Sequence, residues 1–235
     1  ATVQTASGSY EAIWFDPTFK KNETRPQDKA ERIWQEDRAQ SICAKLLHQQ
    51  AQVHDSAKRT TQLSPLLFDL TSLQREANNR FGFSAKTTLA LAQALYEKHK
   101  ALTYPRTDAR ALPEDYISTV HETLKMLSDS SIYSGSVKEI LSHQWVKPTK
   151  RIFDNSKISD HFAIIPTLQA PKKLTEAEEK IYDLVVKRFL SVFFPAAEYD
   201  VTTRITEVEG EKLKTEGKVL VKAGWLSVYG RDVQE

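Results

Sequence analysis

The hydrophobic period of this chain changes abruptly at Pro195. Before it, Thr175 to Glu178 reads as a capping box, and Ile181, Leu184, Val185, Phe189 and Val192 recur at helical spacing. After it, Tyr199, Val201, Thr203 and Ile205 alternate, followed by Lys212 to Leu220 and Trp225 to Tyr229. Gly210, Gly217 and Gly224 fall at strand-plus-turn spacing, which predicts a β meander. The N-terminal stretch alternates in the same way at Tyr10, Ala12 and Trp14 before a turn at Asp16-Pro17. Strand-rich ends therefore flank a helical middle. The expected fold class is α+β, with a mostly helical, helix-turn-helix-like domain at 64–195 inserted into a β-rich domain built from 1–63 and 196–235. Two domains in series would leave two half-sheets without a shared core.

Within the first segment, polar sequence runs from Lys20 to Lys29, and Ile33, Ile42, Leu46 and Leu47 suggest a helix. Gln49 to Gln62 is polar and fits a strand or an exposed connector; Ser64-Pro65 marks a boundary. Thr71-Ser72-Leu73-Gln74 reads as a capping box for a helix that runs to about Arg80. Phe81-Gly82-Phe83 breaks it, and Ser84 caps a second helix carrying Leu89, Ala92, Leu95 and Tyr96. A third helix is expected from Arg110 with Pro113 in its first turn, through Ile117, Val120, Leu124 and Leu127. Ser128 to Ser136 reads as a loop, and Lys147 to Lys157 as a polar, basic connector.

Composition excludes several classes. One cysteine, Cys43, rules out a disulfide scaffold and a cysteine-rich zinc module. No apolar run approaches the ~18 residues that a membrane span requires. The first ten residues lack a basic, apolar leader, so a reduced, cytoplasmic setting is expected. With no initiator Met and a strand-like end, the chain reads as a piece of something longer. The net charge is only +2, but Thr71 to Arg110 holds seven basic residues against three acids. That stretch suits a phosphate-binding face, and equally a solvated helix surface.

Tyr104-Pro105-Arg106-Thr107-Asp108 is the most unusual segment. Pro105 biases Tyr104 toward extended backbone, where Arg106 can share its side. A phenol is a poor nucleophile near its reference pKa of about 10, and a nearby cation favours the phenolate. A guanidinium also clamps phosphate oxygens as charge builds up. On spacing alone, a half-buried Tyr whose hydroxyl satisfies a turn has the better claim. His161 precedes a short apolar run ending at Pro166, where it can donate to a phosphate or sit as a core-edge histidine. No His or Cys pair has metal-ligand spacing, and no Asp-x-Asp pair or Gly-rich phosphate loop is present. Glu176, Glu178 and Glu179 read as first-turn acids that complement a helix dipole.

These segments carry a resemblance. Leu70 to Asn78, Phe81-Gly82-Phe83-Ser84-Ala85 and Leu102-Thr103-Tyr104-Pro105-Arg106-Thr107-Asp108 resemble the active-site region of type IA DNA topoisomerases. Asp160-His161-Phe162-Ala163-Ile164-Ile165-Pro166-Thr167 resembles that family's second signature, and Gly224-Trp225 also fits. Pro105 and the run from Ala163 to Thr167 bring the likeness nearer to bacterial topoisomerase III.

The resemblance implies that Tyr104 cuts one DNA strand and holds it as a 5′-phosphotyrosine. Arg106 would orient the scissile phosphate, His161 would contact it, and Asp108 would position one of those two. Lys86, Arg110 and Lys157 are further candidate DNA contacts. Single-stranded DNA is the implied partner, in a bacterial, nucleoid-associated enzyme. The resemblance also places Mg²⁺, the acidic domain that binds it and much of the DNA-binding surface outside this chain, so the chain alone is expected to be inactive. The helical domain would be the nucleophile domain, inserted in a β hinge domain. Phe162 stands where relatives often carry a polar residue. The rival reading is a non-catalytic helix-turn-helix DNA binder, which predicts preference for duplex.

Overall fold

The computed structural model describes residues 1–21 and 27–230. The chain divides into two compact units: Ala1–Thr60 with Glu198–Val221, and Thr61–Ala197 with the chain from Lys222. The fold is a mixture of helices and antiparallel strands. No helix among the described residues is long and apolar enough to cross a membrane. The expected polar stretch Lys20 to Lys29 lies partly outside the described residues.

The first unit holds a hairpin, β1 (Thr2–Thr5) and β2 (Gly8–Glu11), with Thr5 opposite Gly8. Beside it is a four-stranded sheet, ordered β3 (Ile13–Trp14), β6 (Glu211–Lys222), β5 (Ala197–Val208) and β4 (Gln52–Gln62). Glu209 and Gly210, with φ of 48° and 78°, form the two-residue turn between β5 and β6. Its core is small: Ala12, Val208 and Leu213, with Val3, Tyr10, Trp14 and Leu46 packed on it. Leu46 ends α1 (Glu36–Leu46). Nearly every side chain of β4 is exposed. This edge strand is tied to β5 by paired guanidinium–carboxylate bonds, Arg59 to Asp200 (3.0 and 3.1 Å) and Arg204 to Asp55 (2.7 Å each). Without an apolar face, alternation cannot announce it, which is why the sequence left a connector open.

The second unit is helical. Its spine is α6 (Glu176–Ser191), opened by the expected Thr175–Glu178 capping box and buried through Ile181, Leu184, Val185 and Phe189. Helix α2 (Leu70–Phe81) starts one turn-fraction earlier than expected. Its cap is Asp69, which accepts from the Ser72 N–H at 2.6 Å, so the Thr71 box is not used. Gly82, at φ 70°, ends α2 in the left-handed conformation. Ser84 caps α3 (Ala85–Glu97) as expected, accepting from Thr87 N–H at 3.0 Å.

Three expectations fail in this unit. No helix begins at Arg110: Leu112 is held extended against Phe153, its N–H donating to the Ile152 carbonyl at 2.7 Å. Pro113 to Tyr116 forms a turn, and α4 runs over Ile117–Ser128. The expected loop Ser128 to Ser136 is invaded by α5 (Ser134–Ser142), whose Val137 and Ile140 are buried. Gly224–Tyr229 is a 3₁₀ helix rather than a strand. The Trp225 indole there donates to the Gln62 carbonyl at 2.9 Å, a tertiary bond that alternation cannot foresee. Gly224 is at φ 51°, and a Cβ on it would stand 2.4 Å from the Ala196 carbonyl oxygen. In the first unit, Gly217, expected in a turn, lies inside β6.

Candidate active site

Two segments of the second unit outside its long helices, 101–112 and 152–167 (the latter with a 3₁₀ turn at Asn155–Lys157), are stitched together. Leu102 pairs antiparallel with Pro166, and Thr103 N–H donates to the Ile165 carbonyl at 3.0 Å. A threonine on either side of the Tyr104-Pro105-Arg106 run fixes it to the other segment. Thr103 Oγ1 donates to the Ala163 carbonyl and accepts from Ile165 N–H, both at 2.9 Å. Thr107 Oγ1 donates to the His161 carbonyl and accepts from Ala109 N–H, both at 3.1 Å. The Leu70 N–H closes the start of α2 on the Thr107 carbonyl at 3.0 Å.

That stitching sets Tyr104 beside His161. Their ring centroids are 4.2 Å apart, and Tyr96 of α3 meets the half-buried Tyr104 ring edge-on at 5.4 Å. The Tyr104 hydroxyl has no hydrogen-bond partner among the described residues, so no turn claims it. Arg106 is exposed and donates through Nη2 to Gln93 Oε1 at 3.2 Å. Gln93 lies one turn before Tyr96 on the same face of α3, so one helix supports both the phenol and the guanidinium. Phe162 turns to the other side and packs on Tyr116 at 4.9 Å, whose hydroxyl pKa is raised by burial.

Asp108 does not bond Arg106 or His161. It faces a cavity of about 540 Å³ with Leu66, Arg110, Arg151 and Lys157. Lys157 pairs with Asp154 at 2.8 Å, and this cation, with the Ser156 hydroxyl, draws the Asp154 carboxyl down to about 2. Burial, then the neighbouring Arg110 charge, lowers the Arg151 pKa. Lys86 sits exposed in the first turn of α3 and does not line the cavity. Arg151 and Gln93 escaped the sequence reading. The first was submerged in a basic connector, the second in a helix face, and only tertiary pairing singles them out. Among the described residues no group of three or more His, Cys, Asp or Glu side chains is placed to hold a metal ion.

An α+β chain with this paired Tyr and His has known relatives. The family model described as DNA topoisomerase matches residues 7–235. The chain belongs to the type IA DNA topoisomerase family. Within that family it is similar to proteins named DNA topoisomerase 3. That of Bacillus cereus is 42% identical over 225 residues, covering 90% of this chain and 31% of the relative. That of Bacillus subtilis is 38% identical over 229 residues, covering 97% and 30%. That of Bacillus thuringiensis is 48% identical over 174 residues, covering 73% and 24%. The chain thus spans less than a third of the length of these relatives. Full-length topoisomerase I from Thermotoga maritima shares the fold with a TM-score of 0.57 at 22% identity, over 88% of this chain and 34% of that one.

Proposed function

We propose that this chain supplies the nucleophile of a type IA topoisomerase, which cuts and reseals one DNA strand and so permits strand passage. Tyr104 Oη attacks the scissile phosphorus and the P–O3′ bond breaks. The phenolic proton is given up, the 3′ oxygen leaves as a hydroxyl, and the 5′ phosphate stays on the tyrosine. Arg106 clamps the phosphate oxygens as negative charge develops. His161, against the phenol, donates to the same phosphate. Resealing reverses the attack, and the phosphotyrosine conserves the bond energy, so ATP is not required.

One observation carries this reading: the 4.2 Å approach of the Tyr104 and His161 rings, made by the two segments that bear the family's motifs. The Gln93 bond that holds Arg106 on the helix touching Tyr104 adds to it. Mg²⁺ belongs, in this proposal, to a part of the enzyme outside these residues, together with other domains that complete the cleft. The preferred partner is single-stranded DNA, and the setting is the bacterial cytoplasm at the nucleoid. We also read α2, Gly82 and α3 as a helix-turn-helix-like unit, in a helical nucleophile domain over 64–195 inserted in a β hinge domain. The division of the chain into two compact units supports that reading.

The test is the Tyr104→Phe variant in the complete enzyme. It is expected to form no covalent DNA adduct while single-strand binding is retained; an adduct in the Phe variant overturns the assignment. The chain alone, given Mg²⁺ and supercoiled DNA, is expected not to relax it. Relaxation would show that nothing further is needed. Tighter binding of duplex than of single strands would favour the non-catalytic DNA binder.

A further inference from the structure

The cavity shared by Leu66, Asp108, Arg110, Arg151 and Lys157 gathers three cations and a single acid around about 540 Å³. Each cation is held from behind by backbone. Arg110 Nε donates to the Leu67 carbonyl at 3.1 Å, Arg151 Nη2 to the Ser64 carbonyl, and Lys157 Nζ to the Lys150 carbonyl at 2.8 Å. These bonds leave Arg110 with both terminal nitrogens unspent. Among the described residues neither Arg110, Arg151 nor Asp108 has an ion-pair partner. Lys157, at the exposed rim, is already paired with Asp154 at 2.8 Å, but the two guanidiniums have no counterion of their own and repel, most of all where burial limits screening. The burial and mutual repulsion that lower the Arg151 pKa express this strain. An anion in the cavity relieves it, and a guanidinium fork matches phosphate oxygens in pairs. Leu66 adds an apolar wall against which a sugar can lie.

We propose that Arg110, Arg151 and Lys157 form a subsite for a backbone phosphate of single-stranded DNA, separate from the phosphate at Tyr104. Four residues of extended chain reach at most about 14 Å, so Asp108 keeps this subsite within reach of the strand that Tyr104 cuts. The assignment rests on the topoisomerase reading for its ligand and on the cavity for its chemistry.

The experiment measures binding of a short oligothymidylate by this chain across a salt series. Arg110→Gln and Lys157→Gln are each expected to weaken binding several-fold at low salt and to lower the slope of log K against log salt by about 0.7, one single-strand phosphate contact. Arg110→Lys, which keeps the charge, is expected to retain the slope. Lys138→Gln, an equal charge loss on exposed α5, is expected to leave it unchanged. Arg151 is spared because it anchors Ser64. Should Arg110→Gln fail to fold, Lys157→Gln carries the test. Unchanged slopes in the Gln variants, a lost slope in Arg110→Lys, or an equal loss in Lys138→Gln overturns the subsite while Tyr104 chemistry stands. A wild-type chain that binds no oligothymidylate overturns the subsite, and the Tyr104 reading is then judged by the Phe variant of the complete enzyme alone.

Discussion

Thr107 donates its hydroxyl hydrogen to the carbonyl of His161, 54 residues away, at 3.1 Å, and the same oxygen accepts from the N–H of Ala109. Thr107 is 8% exposed, so both bonds are sheltered from water. This one hydroxyl holds the far end of the Tyr104 segment to the base of the histidine.

Replacing it with an isosteric apolar group tests that role. Thr107→Val leaves the Ala109 N–H and the His161 carbonyl without this partner and is expected to cost about 1–2 kcal/mol in urea unfolding. Thr107→Ser is expected to recover most of the loss. Equal stability of the Val variant and wild type would remove the hydroxyl from the framework.

Gln93 is expected to act as a positioning residue for Arg106. In the complete enzyme, Gln93→Ala should slow single-turnover cleavage roughly tenfold by loosening the guanidinium. Affinity for single-stranded DNA should remain within twofold. A parallel fall of rate and affinity would instead place Gln93 in DNA binding.

Acid stability should bear the mark of Asp154. Its carboxyl is drawn from an ordinary 3.8 down to about 2 by Lys157 and Ser156. Folding therefore favours the ionised form, and the contribution is complete above about pH 4 and disappears as pH falls toward 2. In a series of urea melts, Asp154→Asn is expected to flatten the decline of stability between pH 4 and 2. An unchanged decline would assign it to other carboxylates.

Two glycines should respond oppositely. Gly224→Ala forces a Cβ against the Ala196 carbonyl in left-handed backbone and is expected to cost at least about 2 kcal/mol. Gly217 has open space around its Cβ position inside β6, and Gly217→Ala is expected to gain about 0.5 kcal/mol. Thermal unfolding of the pair checks both signs.

What the sequence disclosed follows the range of the forces involved. The Ser84 cap, the Thr175–Glu178 box and the turn at Gly210 depend on neighbours a few residues apart and are readable in the sequence. A long-range bridge from Leu112 to Phe153 outcompetes the helix signals at Pro113, so α4 starts only at Ile117. Helix α5 was masked by serines at its own start, although Val137 and Ile140 carry its buried face. At the candidate site, the motifs pointed to Tyr104, Arg106 and His161. The partners that hold or surround them did not stand out, since Gln93, Thr107 and Arg151 acquire meaning only through distant contacts.

The stretch Ser64 to Leu67 gives up three carbonyls to three arginines: Ser64 to Arg151, Leu66 to Arg188 and Leu67 to Arg110. The most remote of these, Arg188, follows Leu66 by 122 residues, lies buried, and stacks on Phe68 at 3.9 Å. On a ribosome, this strap is therefore made early and fastened late. Until the last turn of α6 has emerged, the approach to α2 lacks one of its three clasps, so the segment from Ser64 to Leu67 cannot be fully fastened before α6 is made.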